Sequence, residues 1–139
     1  MTNSDSGSEA EISGETPPAE IVTRFLSALE KRDLEAASAH LAADAVMVFP
    51  GGATFGTLEE LVDWAADRSQ RVTKRIGRID VADAADGDIV ICQGTLTGSW
   101  PDGTPFEGIR FCDWFLIRGG RIIRQEVWND LAEAKSQSA

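Results

Sequence analysis

Tyrosine is missing from all 139 residues, histidine occurs once and cysteine twice. A lone histidine, His40, beside two separated thiols cannot assemble the four nitrogen and sulfur ligands of a zinc site, so no metal is expected. Cys92 and Cys112 form no CxxC and both fall in strand-like runs, which reads as reduced packing residues in an intracellular protein. Basic residues are scarce as well: 13 Lys and Arg stand against 23 Asp and Glu, a formal charge of -10. Nucleic-acid binding needs clustered cations to neutralise phosphates, so no nucleic-acid partner is expected. The chain has no run of about 18 apolar residues and its N-terminus is acidic and Ser-rich. Neither a membrane span nor a signal peptide is therefore expected, and the expected location is cytoplasmic.

What is present is globular. Hydrophobic residues make up 42% and charged residues 26%, and no internal repeat occurs, which implies one domain with a core large enough to hold a pocket. Residues 1–16 are polar and acidic and are expected to form a disordered tail; residues 17–133 form the domain, and 134–139 a flexible end. Pro17 and Pro18 open a helix with Ile21, Val22, Phe25, Leu26 and Leu29 at helical spacing. Asp33 caps a second helix, LEAASAHLA, that buries Leu34, Ala37 and Leu41. AVMVF is a short strand ending at Pro50-Gly51-Gly52, and Thr57 with Glu60 forms a capping box before a third helix flanked by Trp64. Four strand-like runs follow, RIGRIDVAD, DIVICQGTLTGSW, GIRFCDWFLI and RIIRQEVWNDL, joined by ADGD, PDGT and RGG turns. Helices first and an antiparallel meander afterwards predict an α+β domain with helices packed on one face of a curved sheet. A basic run, Arg68, Arg71, Lys74, Arg75 and Arg78, reads as a solvated helix end and connector, with a rim attracting an anionic ligand as the alternative.

The run GIRFCDWFLI places Ile109, Phe111, Asp113, Phe115 and Ile117 on one strand face. A carboxyl in the middle of an apolar stripe must be satisfied by a partner or used by a site. The opposite face, Arg110, Cys112, Trp114 and Leu116, is too apolar for open solvent, which predicts a homodimer through the sheet.

The segments TRFLSALEKRDLEAASAHLAADAVMVFPGG, FGTLEELVDW, GSWPDGTPFEGIRFCDWFLIRGGRII and VWNDLAE together resemble the nuclear transport factor 2-like superfamily, and within it the SnoaL-like polyketide cyclase and ketosteroid isomerase-like branch, over about residues 18 to 133. The resemblance implies a cone-shaped, curved antiparallel sheet, mixed and of four to six strands, wrapped around three N-terminal helices. It also implies a cavity between sheet and helices, commonly in a homodimer. Its known chemistries do not all carry over. The ketosteroid isomerase base position is Phe49 here and the oxyanion tyrosine position is Phe25; the paired tyrosines of scytalone dehydratase are absent; the Arg and Asp of limonene epoxide hydrolase become Gly94 and Leu96. Two carboxylates survive as candidate catalytic residues. Asp113 matches the acid of the isomerase-like and SnoaL-like members, and Asp130 the closing-strand aspartate of the epoxide hydrolase-like pattern.

By strand parity Met47, Phe49, Leu96, Phe111, Phe115 and Trp128 converge on the cavity, joined by Phe25 and Leu41 from the helices and by Trp64. On the closing strand Glu126, Trp128 and Asp130 share a face, with Trp128 as a wall if that face looks inward. Such a lining suits an apolar, carbonyl-bearing, polyketide-like small molecule. The expected function is cofactor-free aspartate acid/base chemistry: cyclisation, isomerisation or dehydration. A non-catalytic binding protein for an apolar metabolite, and a dimerisation module with a vestigial pocket, are the other two readings.

Overall fold

A computed structural model of the chain describes residues 16–68 and 71–138. Except for Thr16, the expected acidic tail lies outside the described residues. Helix α1, Pro18–Glu30, starts on a proline at its first position and buries Ile21, Val22, Phe25 and Leu26, the stripe its spacing requires. It stops at Lys31 and Arg32: Arg32 adopts a positive φ of 61°, its N–H donates to the Leu29 carbonyl, and Asp33 N–H donates to the Ala28 carbonyl. Asp33 then accepts from the Ala36 N–H and caps α2, Leu34–Ser38.

Helix α2 ends earlier than its sequence pattern predicts. The His40 carbonyl accepts from Ile122 N–H at 2.8 Å, drawing the chain into a sheet, so Leu41 opens strand β1, Leu41–Phe49, instead of packing from a helix. A single 3-10 turn at Pro50–Gly52 leads into β2, Ala53–Phe55, and α3, Leu58–Ala66, is capped by the Thr57 hydroxyl accepting from Glu60 N–H. The long hairpins follow: β3, Val72–Ala84; β4, Gly87–Ser99; β5, Pro105–Arg118; and β6, Arg121–Asn129. Between β5 and β6 the turn residues Gly119 and Gly120 both take positive φ, the conformation a two-residue hairpin needs. Helix α4, Leu131–Ser138, follows the last strand.

The six strands form one curved, unclosed sheet in the order β2-β1-β6-β5-β4-β3. All neighbours are antiparallel except β1 and β6, which run parallel, so the sheet is mixed. Helix α1 covers the concave face, where Phe25 meets Phe115 edge-on at 6.2 Å. Around that contact sit Met47, Val90, Leu96, Phe111 and Ile122, all buried.

Candidate active site

The inward face of β5 is apolar at Ile109, Phe111, Phe115 and Ile117 and carries the fully buried Asp113 at its centre, as alternation requires. Its partner is Lys74 on the edge strand β3: the ammonium Nζ donates to Asp113 Oδ2 and lies 5.0 Å from the Phe111 ring centroid. Lys74 reaches the inner face because Val72, Lys74 and Ile76 alternate inward, facing Gly98, Leu96 and Gly94 of β4. The expectation that Lys74 belongs to a solvated connector is therefore corrected: strand β3 begins at Val72 and the lysine side chain is only 21% exposed. The other carboxylate oxygen, Oδ1, is buried and has no hydrogen-bond partner. Cys92, directly opposite Asp113 on β4, has its thiol pushed up to about 11, first by burial and then by the neighbouring Asp113 charge. It is a packing residue and not a nucleophile at neutral pH.

A cavity of about 360 Å³ opens between the sheet and the helices, lined from β3, β4 and β6 and not from β5. Leu26 and Leu29 of α1, Leu61 and Trp64 of α3, and Leu96 of β4 supply apolar wall, and Lys74, Gln125 and Asn129 supply the polar positions on the sheet. Near α3 the aromatic wall is continuous: Phe49 lies 5.8 Å and Phe55 5.4 Å from Trp64, and the Arg68 guanidinium stacks 4.2 Å from the Trp64 centroid. Arg32, Glu30 and Asp67 bring charge to the cavity as well.

Of the residues singled out from sequence, Phe49, Trp64 and Leu96 line this cavity. Phe25, Met47, Phe111 and Phe115 lie in the buried core beneath it, and Leu41 packs against that core from the start of β1. Trp128 and Asp130 stand elsewhere. Trp128 is 55% exposed on the outer face, opposite Cys112, and Asp130 accepts from Arg110 Nε at 2.7 Å on the surface. The physical reason is a bulge. Ile117 pairs with Ile122 but Leu116 pairs with Arg124, so one extra residue reverses the strand's parity and turns Gln125, Val127 and Asn129 inward. Gln125 was not foreseen. It is fully buried, and neither its Nε2 nor its Oε1 has a partner.

Among the described residues no group of three or more His, Cys, Asp or Glu side chains could hold a metal ion, and no helix is long and apolar enough to cross a membrane. The arrangement can hold an apolar molecule against an aromatic wall and present to it an ammonium and an amide, with a carboxylate behind the ammonium.

The SnoaL-like domain family matches residues 22–125, about three-quarters of the chain. No curated protein matches the sequence. Solved structures share the fold at low identity. TerC, crystallised with polyporic acid, superposes with a TM-score of 0.72 at 19% identity, covering 87% of this chain and 97% of that one. A protein assigned to the SnoaL-like polyketide cyclases, from Jannaschia sp., gives 0.68 at 16%, covering 89% and 96%. A nuclear transport factor 2-like protein from Burkholderia thailandensis gives 0.69 at 21%, covering 89% and 98%. At these identities the superpositions show the fold.

Proposed function

The chain belongs to the SnoaL-like domain family, and from that premise we propose that it is a cofactor-free enzyme acting by acid/base chemistry on an apolar, carbonyl-bearing small molecule. The observation that carries this reading is Asp113, fully buried on an apolar face behind Lys74, which lines the cavity and holds Oδ2, while Oδ1 has no partner. The ring system of the substrate lies against Phe49 and Trp64, and its carbonyl oxygen meets the Lys74 ammonium. Asp113 lies behind Lys74, so the ammonium has to swing onto the carbonyl oxygen before the carboxylate takes a proton from the carbon beside that carbonyl. The electron pair moves to the oxygen, where Lys74 stabilises the developing charge. Return of the proton to a different carbon completes an isomerisation; attack of the enolate carbon on a second carbonyl of the same molecule, whose oxygen then takes the proton, completes a cyclisation; and departure of a neighbouring hydroxyl with that proton as water completes a dehydration.

With the ring compounds that co-purify from the native host as candidate substrates, Asp113→Asn is expected to lower turnover by about 10²–10⁴-fold. Ligand-induced thermal stabilisation should persist, because the amide keeps the shape and loses the proton transfer. Unchanged turnover would remove Asp113 from the mechanism. The competing reading, a carrier or sensor of an apolar metabolite, is favoured by one feature: Lys74 contributes surface to the cavity, whereas Asp113 is buried behind it. A pure carrier predicts that Trp64→Ala weakens binding while no chemical change of the ligand is found in any variant.

The outer sheet face supports a homodimer. Ile91 pairs with Trp114 and Cys112 with the exposed Trp128, a half-buried apolar strip, bordered by the Arg124–Glu126 ion pair, that a second copy would cover. Trp114→Glu, which places a charge at its centre, is expected to convert a dimer of about twice the chain mass into a monomer in light scattering. A wild-type protein that is already monomeric overturns the dimer.

A further inference from the structure

We infer that Gln125 anchors the inner end of the cavity's ligand, and that this end carries a hydrogen-bond donor and an acceptor side by side on one edge, as a primary amide, a lactam or a hydroxy-ketone does. The inference rests on the reading of the cavity as a site for an apolar carbonyl compound, and it specifies the polar end of that compound.

Gln125 lines the cavity and is fully buried, yet neither polar atom of its side chain is bonded. Desolvating an amide without replacing its hydrogen bonds is costly, and a buried polar group left in that state needs an explanation. Packing does not supply one. The residues across from Gln125 are Phe115 on β5 and Met47 on β1, both fully buried and apolar, and an aliphatic side chain would fill the same space between them. The third buried atom without a partner, Asp113 Oδ1, lies on the same face of the adjacent strand. Among the described residues, the buried side-chain atoms without a partner thus lie on two adjacent strands of the inner face.

A glutamine amide offers one N–H edge and one carbonyl edge in a single plane. Its complement is an acceptor for Nε2 and a donor for Oε1. A ketone or an ionised carboxylate supplies acceptors only and leaves Oε1 unpaired. The charge of Lys74 is already matched by Asp113, so an anionic end has no uncompensated cation to meet on this wall.

The test uses 2-naphthamide and 2-acetonaphthone, which share a ring and a carbonyl and differ in carrying NH2 or CH3. By calorimetric titration the wild-type protein is expected to bind 2-naphthamide at least about tenfold more tightly. Gln125→Leu should abolish that preference, weakening the amide and strengthening the ketone, and should melt no lower than wild type because two unpaired polar atoms are gone. Gln125→Met carries the same expectation if leucine packs badly. Equal affinities in the wild type, or a preference that survives in both variants, would overturn the role of Gln125 and leave the cavity reading standing. Failure of the wild type to bind either probe would overturn both.

Discussion

Lys74→Met is expected to lower the stability of the fold by about 3–5 kcal/mol, and adding Asp113→Leu to restore most of it. The asymmetry follows from where the two charges sit. Asp113 has no solvent exposure, is flanked on its face by Phe111 and Phe115 and pairs with Cys92 and Val127, whereas Lys74 keeps about a fifth of its side chain in contact with water. Removing the ammonium alone leaves a carboxylate with no compensating charge in an apolar setting, the costliest of the four states in the cycle. Removing both leaves methionine and leucine packed against Phe111, which costs little. Chemical denaturation of wild type, both single variants and the double variant measures the coupling directly. If Lys74→Met shifts the midpoint by less than about 1 kcal/mol, the ammonium is not what holds Asp113 in place.

Gly94→Ala should cost about 3 kcal/mol, the upper range for overpacking, and should also disturb the ion pair. Gly94 pairs with Ile76 and Phe111, and a Cβ on it would overlap the carbonyl oxygen of Arg75 and crowd the Gly77 amide nitrogen at 3.0 Å. Both obstacles are backbone, so no rotamer change relieves them and strand β3 has to move, taking Lys74 with it. Gly77→Ala is the control. Its Cβ would meet only the Gln93 carbonyl oxygen at 3.6 Å, an ordinary contact, and the variant should stay within about 1 kcal/mol of wild type. Equal unfolding midpoints for the two variants would mean that close approach of β3 to β4 is not required at Gly94.

The residues differ in how openly they announce these roles. Asp113 was legible because a lone carboxyl in the stripe Ile109, Phe111, Phe115, Ile117 conflicts with every neighbour on its face. The helix caps at Asp33 and Thr57 and the glycine turns were legible because their chemistry is local. Lys74 was hidden by its company: among Arg68, Arg71, Arg75 and Arg78 it looks like one more solvated cation. The signal that separates it is the apolar pair Val72 and Ile76, two residues to either side and on the same face. Gln125 and the outward turn of Trp128 were hidden by the bulge after Ile122, since one inserted residue reverses alternation and nothing in RIIRQEVWN marks the insertion. The resemblance implies a mixed sheet, but not which strands run parallel, because the pairing of β1 with β6 depends on Ile122 bonding to His40, a contact between distant parts of the chain.

Strand β3 has a sheet neighbour on one side only, and it carries the cation that neutralises Asp113. Sheet margins detach more readily than centres. A momentary peeling of that hem would strip Asp113 of its counter-charge and let water in while the remaining five strands stay joined. The free energy that keeps Asp113 from water is thus set by the weakest seam of the fold, and the global unfolding free energy gives only its upper limit.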